Sequence, residues 1–322
     1  MKKKLLRPAK FLWRFLSRLL SRSAAQRWLY LPHYVKFHGR LPRNPRLPGA
    51  GFEDFVAERV LSPHTAGMGP YVDKEQAKDL ARALAPGLRI TPTVAVRKLE
   101  PRTTLREVED FLKPFLGKRL AAKPTHGSGT VLLLDRLKAG NLKLFLQEAR
   151  TNYFFRHGES QYRDLEPKIL VEESLAPAGE SPPTDYRFHC TRGVPWFGAA
   201  DAGRFVDLRE HHFTVPDYRP VFLQAQGKKP GRTPPRPPRF QEMLRAAARL
   251  SRPFEYVRID LYQTPRGVHF GEFTFTPMAG LFKFLDPAFS QWLLARALQP
   301  EKVQPLPARW GTAKGRLARL GD

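Results

Sequence analysis

Asp260 and Glu272 are the two residues whose spacing most directly predicts chemistry in this sequence. They fall on two strand-like segments that are expected to pair, so their carboxylates would lie side by side, with Arg258 on the same face. Carboxylates opposite one another repel unless a cation lies between them, and Mg²⁺ held by one or two carboxylates usually binds nucleotide phosphates. The pattern therefore predicts a Mg²⁺ clamp. The alternative is a solvent-facing hairpin in which Arg258 neutralises the acids.

The hairpin is predicted from the alternation of side chains. Two runs of alternating apolar and polar residues, Tyr256–Tyr262 and Val268–Phe275, flank a Pro-Arg-Gly loop. A three-residue loop that ends in a left-handed glycine would pair Thr264 with Val268. This is the register that brings the two carboxylates together.

Two further segments have features of an anion or nucleotide site. Lys123 ends an apolar segment and precedes a loop with Gly127 and Gly129, whose backbone N–H groups could approach an anion. The spacing matches neither a P-loop nor a dinucleotide fingerprint, and an ordinary β-turn is the alternative. Further along, Val171–Leu175 leads an apolar strand into two acids. Such a strand end could offer backbone groups to an adenine edge, or it could simply reach water.

Composition predicts a globular protein with more than one packed unit. The chain has 322 residues, of which 42% are hydrophobic. Its one cysteine, Cys190, excludes an internal disulfide framework, indicates a reducing compartment and is expected to be a buried thiol. The formal net charge is +25, and the first 52 residues carry 13 Lys or Arg and no acid. Such charge suits nucleic acid, an anionic membrane or an acidic polymer, but we find no nucleic-acid-binding motif and expect no specific nucleic-acid partner.

An amphipathic basic helix is predicted over residues 10–22, where Phe and Leu form one stripe and Arg another. The run is too charged for a signal-peptide core or a membrane span. It fits an in-plane helix on an anionic membrane surface, and it equally fits a helix packed on the protein. A second basic run, 228–239, is rich in proline and is expected to be a surface loop.

Periodicity predicts an α+β fold. Thr104 and Glu107 have the spacing of an N-terminal capping box. Helices are expected over 51–62, 73–86, 104–116 and 241–250, and strands over 91–96, 119–124, 131–134, 168–175, 185–190 and 193–200, in addition to the hairpin.

The order of these segments resembles the ATP-grasp superfamily, and within it the TupA-like ATP-grasp proteins of polysaccharide biosynthesis. The resemblance runs from about Tyr34 to about Leu298. The matching segments are Tyr34-Val-Lys-Phe-His-Gly, Tyr71-Val-Asp-Lys-Glu-Gln-Ala-Lys78, Ala122-Lys-Pro-Thr-His-Gly-Ser-Gly129, Val171-Glu-Glu-Ser-Leu175, Asp185-Tyr-Arg-Phe188, Val257-Arg-Ile-Asp-Leu-Tyr262 and Phe270-Gly-Glu-Phe-Thr-Phe-Thr-Pro277. The resemblance implies an ATP-grasp fold, in which two α+β lobes grip ATP between antiparallel sheets, with a basic N-terminal helical arm in addition.

The resemblance also implies roles for individual residues. Lys74 and Lys123 would bind the phosphates of ATP, covered by a loop of His126, Gly127, Ser128 and Gly129. A hinge of Glu172, Glu173 and Leu175 would contact the adenine. Asp185 would bind the ribose. Mg²⁺ would be bound by Asp260 and Glu272, with Thr274 where many relatives have Asn. Lys123 and Arg258 would act in catalysis, Arg258 by stabilising charge on the γ-phosphoryl group or on an acyl-phosphate.

The implied activity is an ATP- and Mg²⁺-dependent carboxylate–amine ligase. ATP would phosphorylate a carboxylate, and an amine would displace phosphate from the acyl-phosphate. The family's setting implies a cell-surface glycan or a sugar-acid/amino-acid polymer as the context. Two rivals stay open, namely a glycosyltransferase that uses a nucleotide sugar and a non-catalytic protein that binds an anionic polymer or membrane.

Four regions are expected along the chain. They are a basic arm over 1–50, the N-terminal part with the small lobe over 51–175, the large lobe with the metal site over 176–300 and a basic tail over 301–322. Fewer residues precede Lys74 than in many relatives, so substrate recognition is not carried over from them. The expected location is cytoplasmic, with peripheral contact of the arm to the inner face of the membrane.

Overall fold

The computed structural model describes residues 22–127, 129–137, 140–176, 182–203, 207–222, 234–302, 306–307 and 310. Four sequence predictions therefore fall wholly or partly outside the described residues. They concern the basic helix up to residue 21, Ser128, the part of the Pro/Arg run from 228 to 233 and most of the basic tail over 301–322.

Two antiparallel sheets form the centre of the fold. The first has the strand order β1-β4-β2-β3, and the second has the order β10-β9-β5-β6-β7-β8. The strands are β1 (Thr93–Lys98), β2 (Leu120–Pro124), β3 (Leu132–Leu133), β4 (Lys168–Glu173), β5 (Asp185–Thr191), β6 (Val194–Ala202), β7 (Arg209–Thr214), β8 (Pro220–Val221), β9 (Val257–Thr264) and β10 (Gly267–Thr274). The predicted boundary at 175/176 falls between the two sheets, and the division into four regions stays a prediction.

Helices cover the sheets, which confirms the α+β class. The α-helices are α1 (Arg22–His38), α2 (Phe52–Leu61), α3 (Gly69–Val72), α4 (Gln76–Leu84), α5 (Leu105–Leu112), α6 (Asn141–Ala149), α7 (Phe154–His157), α8 (Phe240–Ser251) and α9 (Pro287–Leu298). Short 3₁₀ helices span Pro63–Met68, Lys113–Phe115, Ser160–Tyr162 and Pro277–Gly280. The capping box of α5 is confirmed, because Thr104 Oγ1 accepts from Glu107 N at 3.2 Å and Glu107 Oε2 accepts from Thr104 N at 2.6 Å.

The six-stranded sheet is apolar on one face, whereas its other face has an apolar part and a polar part. Phe188 and Ile259 belong to a buried cluster that also contains residues of α4 and α8. On the opposite face, Phe197 packs against Phe289 of α9, with ring centroids 5.7 Å apart. Burying each such side chain contributes about 1.5–3 kcal/mol. The rest of that second face is polar and carries the candidate site.

Part of the predicted basic arm is built into the fold. Tyr30 and Tyr34 on α1 are fully buried, and the Tyr34 hydroxyl donates to Asp54 Oδ1 at 2.7 Å. Trp310, in the predicted tail, is 1% exposed and donates from Nε1 to Asp286 Oδ2 at 2.7 Å. Both ends of the described chain therefore add to the core. No helix among the described residues has the length and apolar character needed to span a bilayer.

The β9–β10 hairpin differs from the prediction in its turn and agrees with it at the acids. Thr264 pairs with Gly267 and not with Val268, so the predicted three-residue loop is wrong and the turn is one residue shorter. The register then shifts at Gly271, where β10 has one residue more than β9. A Cβ at Gly271 would lie 2.7 Å from the carbonyl oxygen of Asp260, so this bulge requires glycine. After the bulge, Asp260 pairs with Glu272 as predicted.

Candidate active site

Arg258 lies between the two carboxylates that the hairpin pairs. Its Nε donates to Asp260 Oδ1 at 2.7 Å. Its Nη2 donates to Thr274 Oγ1 at 3.1 Å and lies 3.6 Å from Glu272 Oε1. The structure therefore brings Arg258 together with the three predicted metal ligands, Asp260, Glu272 and Thr274. The Arg258 guanidinium lies where the sequence predicts a metal ion.

Asp260 is buried among like charges. Burial raises its pKa above the ordinary value, Arg258 opposes this rise, and the nearby charges of Asp185 and Glu272 raise the pKa further. A hard cation would relieve this repulsion, and the carboxylate and hydroxyl oxygens present are ligands that Mg²⁺ prefers. No three His, Cys, Asp or Glu side chains form a metal cluster in the described part of the chain. The residues fit a Mg²⁺ ion that takes its remaining ligands from phosphate and water.

Three lysines converge on two glutamates beside this hairpin. Lys74, just before α4, has its Nζ 3.6 Å from Glu272 Oε2. Lys78, one helical turn further on, lies 2.7 Å from Glu172 Oε2, and Lys123 on β2 pairs with Oε1 of the same carboxylate. The two lysines expected at the phosphates therefore lie at one site next to the acids, and Lys78 joins them.

The charges of this cluster depend on one another. Burial lowers the pKa of Lys74, and the charge of Glu272 opposes this change. Burial also lowers the pKa of Lys78, and there the charge of Glu172 opposes it. Burial alone would raise the pKa of Glu172, but Lys123 and Lys78 hold it below the ordinary value. Glu172 is therefore an internal anion that neutralises two lysines. A phosphate group that binds Lys123 would compete with this carboxylate.

Arg187 is surrounded by acids on the polar face of the large sheet. Its guanidinium donates from Nε and Nη2 to Asp185 Oδ2, both at 3.2 Å, and it pairs with Asp201. It also lies 3.8 Å from Glu210 Oε2 and from Asp260 Oδ2. Burial would lower the pKa of Arg187, but the surrounding acids raise it above the ordinary value. Asp185, predicted at the ribose, is thus joined through Arg187 to the carboxylates of the hairpin.

The glycine loop contacts the first lysine through its backbone. Gly127 O accepts a hydrogen bond from Lys74 Nζ, and Gly129 has a positive φ of 80° that favours glycine. His126 is fully buried, and burial lowers its pKa to about 4, so its ring is neutral near pH 7. The backbone of the loop therefore bonds to the lysine, and the nearby charge of Lys74 also helps to keep the His126 ring neutral.

A cavity of about 280 Å³ lies between the predicted hinge and the tip of the hairpin. It is lined by Arg89, Ile90, Pro92, Glu173, Leu175, Arg266 and His269. Two of the three predicted hinge residues, Glu173 and Leu175, therefore face a common space. The Glu172 carboxylate pairs with lysines instead, so an adenine base in this cavity would contact Glu173 and Leu175.

Sequence reasoning missed four charged residues of the site. Lys78 lies four residues after Lys74, and helical periodicity could have placed both on one face. Arg187 lies within a matched segment, two residues after Asp185 on the same strand face. Asp201 and Glu210 pair across β6 and β7, and no strand was predicted at β7, so nothing in the sequence analysis placed Glu210.

The cleft between the two antiparallel sheets, with lysines on one side and paired acids on the other, is the arrangement expected of the ATP-grasp class. The chain belongs to the TupA-like ATP-grasp family, because the sequence model of that family matches residues 58–297, more than half of the chain. The predicted family and the predicted ATP-grasp fold are both confirmed. No curated protein sequence matches the chain significantly.

Solved structures with similarity to this chain include three ligases. The ATP-grasp ligase PsnB with minimal precursor, Mg and ADP has 12% identity and a TM-score of 0.37, over 74% of this chain and 61% of that chain. The D-alanine–D-alanine ligase of Bacillus anthracis has 13% identity and a TM-score of 0.35, over 65% and 57%. The Helicobacter pylori enzyme has 14% identity and a TM-score of 0.36, over 71% and 61%. The chain thus spans less than two thirds of each of these proteins.

Proposed function

We propose that this protein is an ATP- and Mg²⁺-dependent ligase that joins a carboxylate to an amine through an acyl-phosphate. One observation carries the proposal. Lys74 and Lys123 converge at a cleft whose other wall is the Asp260–Glu272 pair, so a polyphosphate would meet cations and a metal clamp at once. Phosphoryl transfer depends on such positioning and charge stabilisation, and it needs no covalent side-chain nucleophile.

The described residues divide the work on ATP. Lys74, Lys123 and the backbone of the glycine loop bind phosphate oxygens. Asp260 and Glu272, with the Thr274 hydroxyl, would hold Mg²⁺, which would supply positive charge against the phosphates. The Arg258 guanidinium, which lies between these carboxylates, would stabilise negative charge on the transferred phosphoryl group.

The same geometry supports positions for the adenine and the ribose. The cavity of about 280 Å³ has apolar walls at Ile90, Pro92 and Leu175, which suit a base. Asp185 pairs with Tyr262, and Tyr262 pairs with His269 at the cavity. A nucleotide whose base occupies the cavity would therefore extend past Asp185 towards the paired acids.

Isothermal titration calorimetry of MgATP against the full chain tests the nucleotide site. We expect micromolar-range binding that requires Mg²⁺, and we expect its loss in Lys123→Ala because a phosphate cation is removed. Lys98→Ala is the matched control, since the Lys98 side chain is 52% exposed and its ion pair among the described residues is with the surface residue Glu166. Equal binding by wild type and Lys123→Ala would overturn the phosphate assignment.

The metal clamp has its own test. Glu272→Ala should weaken MgATP binding and lower the sensitivity of that binding to Mg²⁺ concentration, because one ligand is removed. If Glu272→Ala keeps the wild-type dependence on Mg²⁺, the clamp is not formed by this hairpin.

The reaction is tested by ADP release. Purified protein with MgATP is screened against sugar acids and amino acids as carboxylates, with amino acids and glycan acceptors as amines, and products are read by mass spectrometry. Carboxylate-dependent ADP release with an amide product supports the ligase. UDP-sugar turnover without ADP release would instead support a glycosyltransferase.

We place the reaction in the biosynthesis of a cell-surface polysaccharide or a sugar-acid/amino-acid polymer, in the cytoplasm at an anionic membrane. The net charge of +25 and the side chains of Trp28 and Leu41, 65% and 62% exposed, favour contact with such a surface. Co-sedimentation with vesicles of anionic lipid should fall with added salt and on deletion of residues 1–21. Equal sedimentation with neutral vesicles would contradict an electrostatic contact.

A further inference from the structure

The 3₁₀ helix Ser160–Tyr162 is joined to the chain just after β10, because Gln161 Nε2 donates to Thr276 Oγ1. Burial raises the pKa of Tyr162, and the charges of Glu159 and Glu272 raise it further, while Arg258 opposes them. Tyr162 therefore lies within electrostatic reach of both the hairpin and Glu159. Glu159 is thus a second carboxylate near the reaction site, apart from those expected to bind Mg²⁺.

One oxygen of Glu159 is held in place by the residues after β10. The Thr276 hydroxyl donates to Glu159 Oε1 at 2.7 Å. Gln161 Nε2 in turn donates to Thr276 Oγ1 at 2.6 Å. Glu159 is 6% exposed, so this chain fixes a nearly buried carboxylate at the end of the strand that carries Glu272.

The same turn has hydrogen-bonding capacity that the protein leaves unused. Among the described residues, the hydrogen bonds to the Glu159 carboxylate all end on Oε1, which leaves Oε2 open. Ser160 Oγ and Gln161 Oε1 are buried and also lack partners in the described part of the chain. Buried polar groups left without partners are costly, so these two atoms beside the open Glu159 oxygen indicate a place for a polar ligand with N–H or O–H groups.

The proton affinity of Glu159 suits exchange near neutral pH. Burial raises its pKa to about 7, and the hydrogen bond from Thr276 opposes that rise. The titratable groups that face it are Tyr30 of α1 and Tyr162, both of which are neutral in this range because burial raises their pKa. In the described part of the chain, no Lys or Arg side chain contributes to the pKa of Glu159 as an opposing charge.

We propose that Glu159 binds the amine substrate and takes its proton before the amine attacks the acyl-phosphate. This proposal rests on the proposed function and names the residue that serves its second half-reaction. The ammonium group gives one proton to Glu159 Oε2, and the freed nitrogen lone pair forms the C–N bond at the acyl carbon. The C–O bond to the phosphoryl group breaks with its electron pair, a second proton passes from nitrogen to the departing phosphate, and Glu159 releases its proton to solvent.

The test separates two nucleophiles that differ in their need for a base. Wild type, Glu159→Gln and the control Glu166→Gln, whose parent side chain is 63% exposed, are supplied with MgATP and the panel of carboxylates. Hydroxylamine, which is largely uncharged near neutral pH, traps the acyl-phosphate as a hydroxamate without a base. The amino acids of the panel, which are ammonium ions at that pH, require one.

In Glu159→Gln we expect hydroxamate formation to match wild type and amide formation to fall by about 10²–10⁴-fold, the usual contribution of a general base. The remaining amide formation should rise with pH in this variant, because free amine becomes available. Amide formation equal to wild type, or an equal loss of hydroxamate and amide, overturns the proposal. If the wild-type protein forms neither hydroxamate nor amide, the proposed ligase function is wrong, and the role of Glu159 is overturned with it.

Discussion

The Gly271 bulge is predicted to control how the two acids meet. In Gly271→Ala the new Cβ would lie 2.7 Å from the Asp260 carbonyl oxygen and 3.0 Å from Cε2 of Tyr262. The Asp260 carbonyl belongs to the backbone of β9 and cannot move without disturbing the pairing, whereas the Tyr262 ring is a side chain that can shift. Relief of the clash must therefore separate the strands or shift their register at Glu272.

Overpacking of this kind costs about 1–3 kcal/mol, which corresponds to about a 5–150-fold change in an equilibrium constant. We expect the free energy of unfolding of Gly271→Ala to fall by that amount in urea, monitored by tryptophan fluorescence. MgATP binding should weaken beyond this loss of stability, because Glu272 is displaced from Asp260. Calorimetry at a temperature where the variant is folded measures that second effect.

Gly67→Ala is the matched control, since no heavy atom lies within 4 Å of the Cβ it would add. It should leave the unfolding curve and the Kd for MgATP near those of wild type. If Gly271→Ala has the same unfolding curve and the same Kd as this control, the bulge does not position the carboxylates and the reasoning fails.

Three further predictions concern the lysine cluster and the C-terminal packing. Lys78→Met should lower the free energy of unfolding, because it leaves the buried Glu172 with one cation. Breaking a buried ion pair costs about 3–5 kcal/mol, and the remaining pair with Lys123 reduces this loss; thermal unfolding measures it. The pKa of Glu172 is lower in the folded than in the unfolded protein, so its ionised form stabilises the fold above the unfolded pKa, and this stabilisation is lost as pH falls through the folded pKa. In Glu172→Gln, the free energy of unfolding should therefore fall less steeply as pH is lowered on the acid side. Trp310→Ala should cost about 3–5 kcal/mol in urea unfolding, because the ring is 1% exposed and its Nε1 donates to Asp286; an unchanged midpoint would contradict that packing.

The hairpin illustrates how an incorrect detail can accompany a correct prediction. Alternation along each strand placed Asp260 and Glu272 on one face, since that property is local. The turn was mispredicted by one residue, and the bulge at Gly271 compensated for it. A bulge is set by contact between two strands, and its one local signal here is a glycine within a strand.

The site shows the same division. Lys74 and Lys123 were recognised from the order of segments, because each lies next to a local feature, a helix start and a glycine loop. The pairing of Lys74 with Glu272, and of Lys78 and Lys123 with Glu172, depends on how α4 lies relative to β4 and β10, which no single segment encodes. The same holds for Arg187, whose partners come from four strands, β5, β6, β7 and β9.

The sequence by itself determined the family, the α+β class and the paired acids of the hairpin, because periodicity and motif order are properties of neighbouring residues. Only the tertiary structure decided that Arg258 lies between those acids, that Lys78 joins the lysine cluster and that Glu159 bonds to Thr276 just after β10. It also placed Tyr30, from the predicted basic arm, in the core. These contacts join residues far apart in the chain, and burial then sets their pKa values. Both effects arise only when the chain is packed.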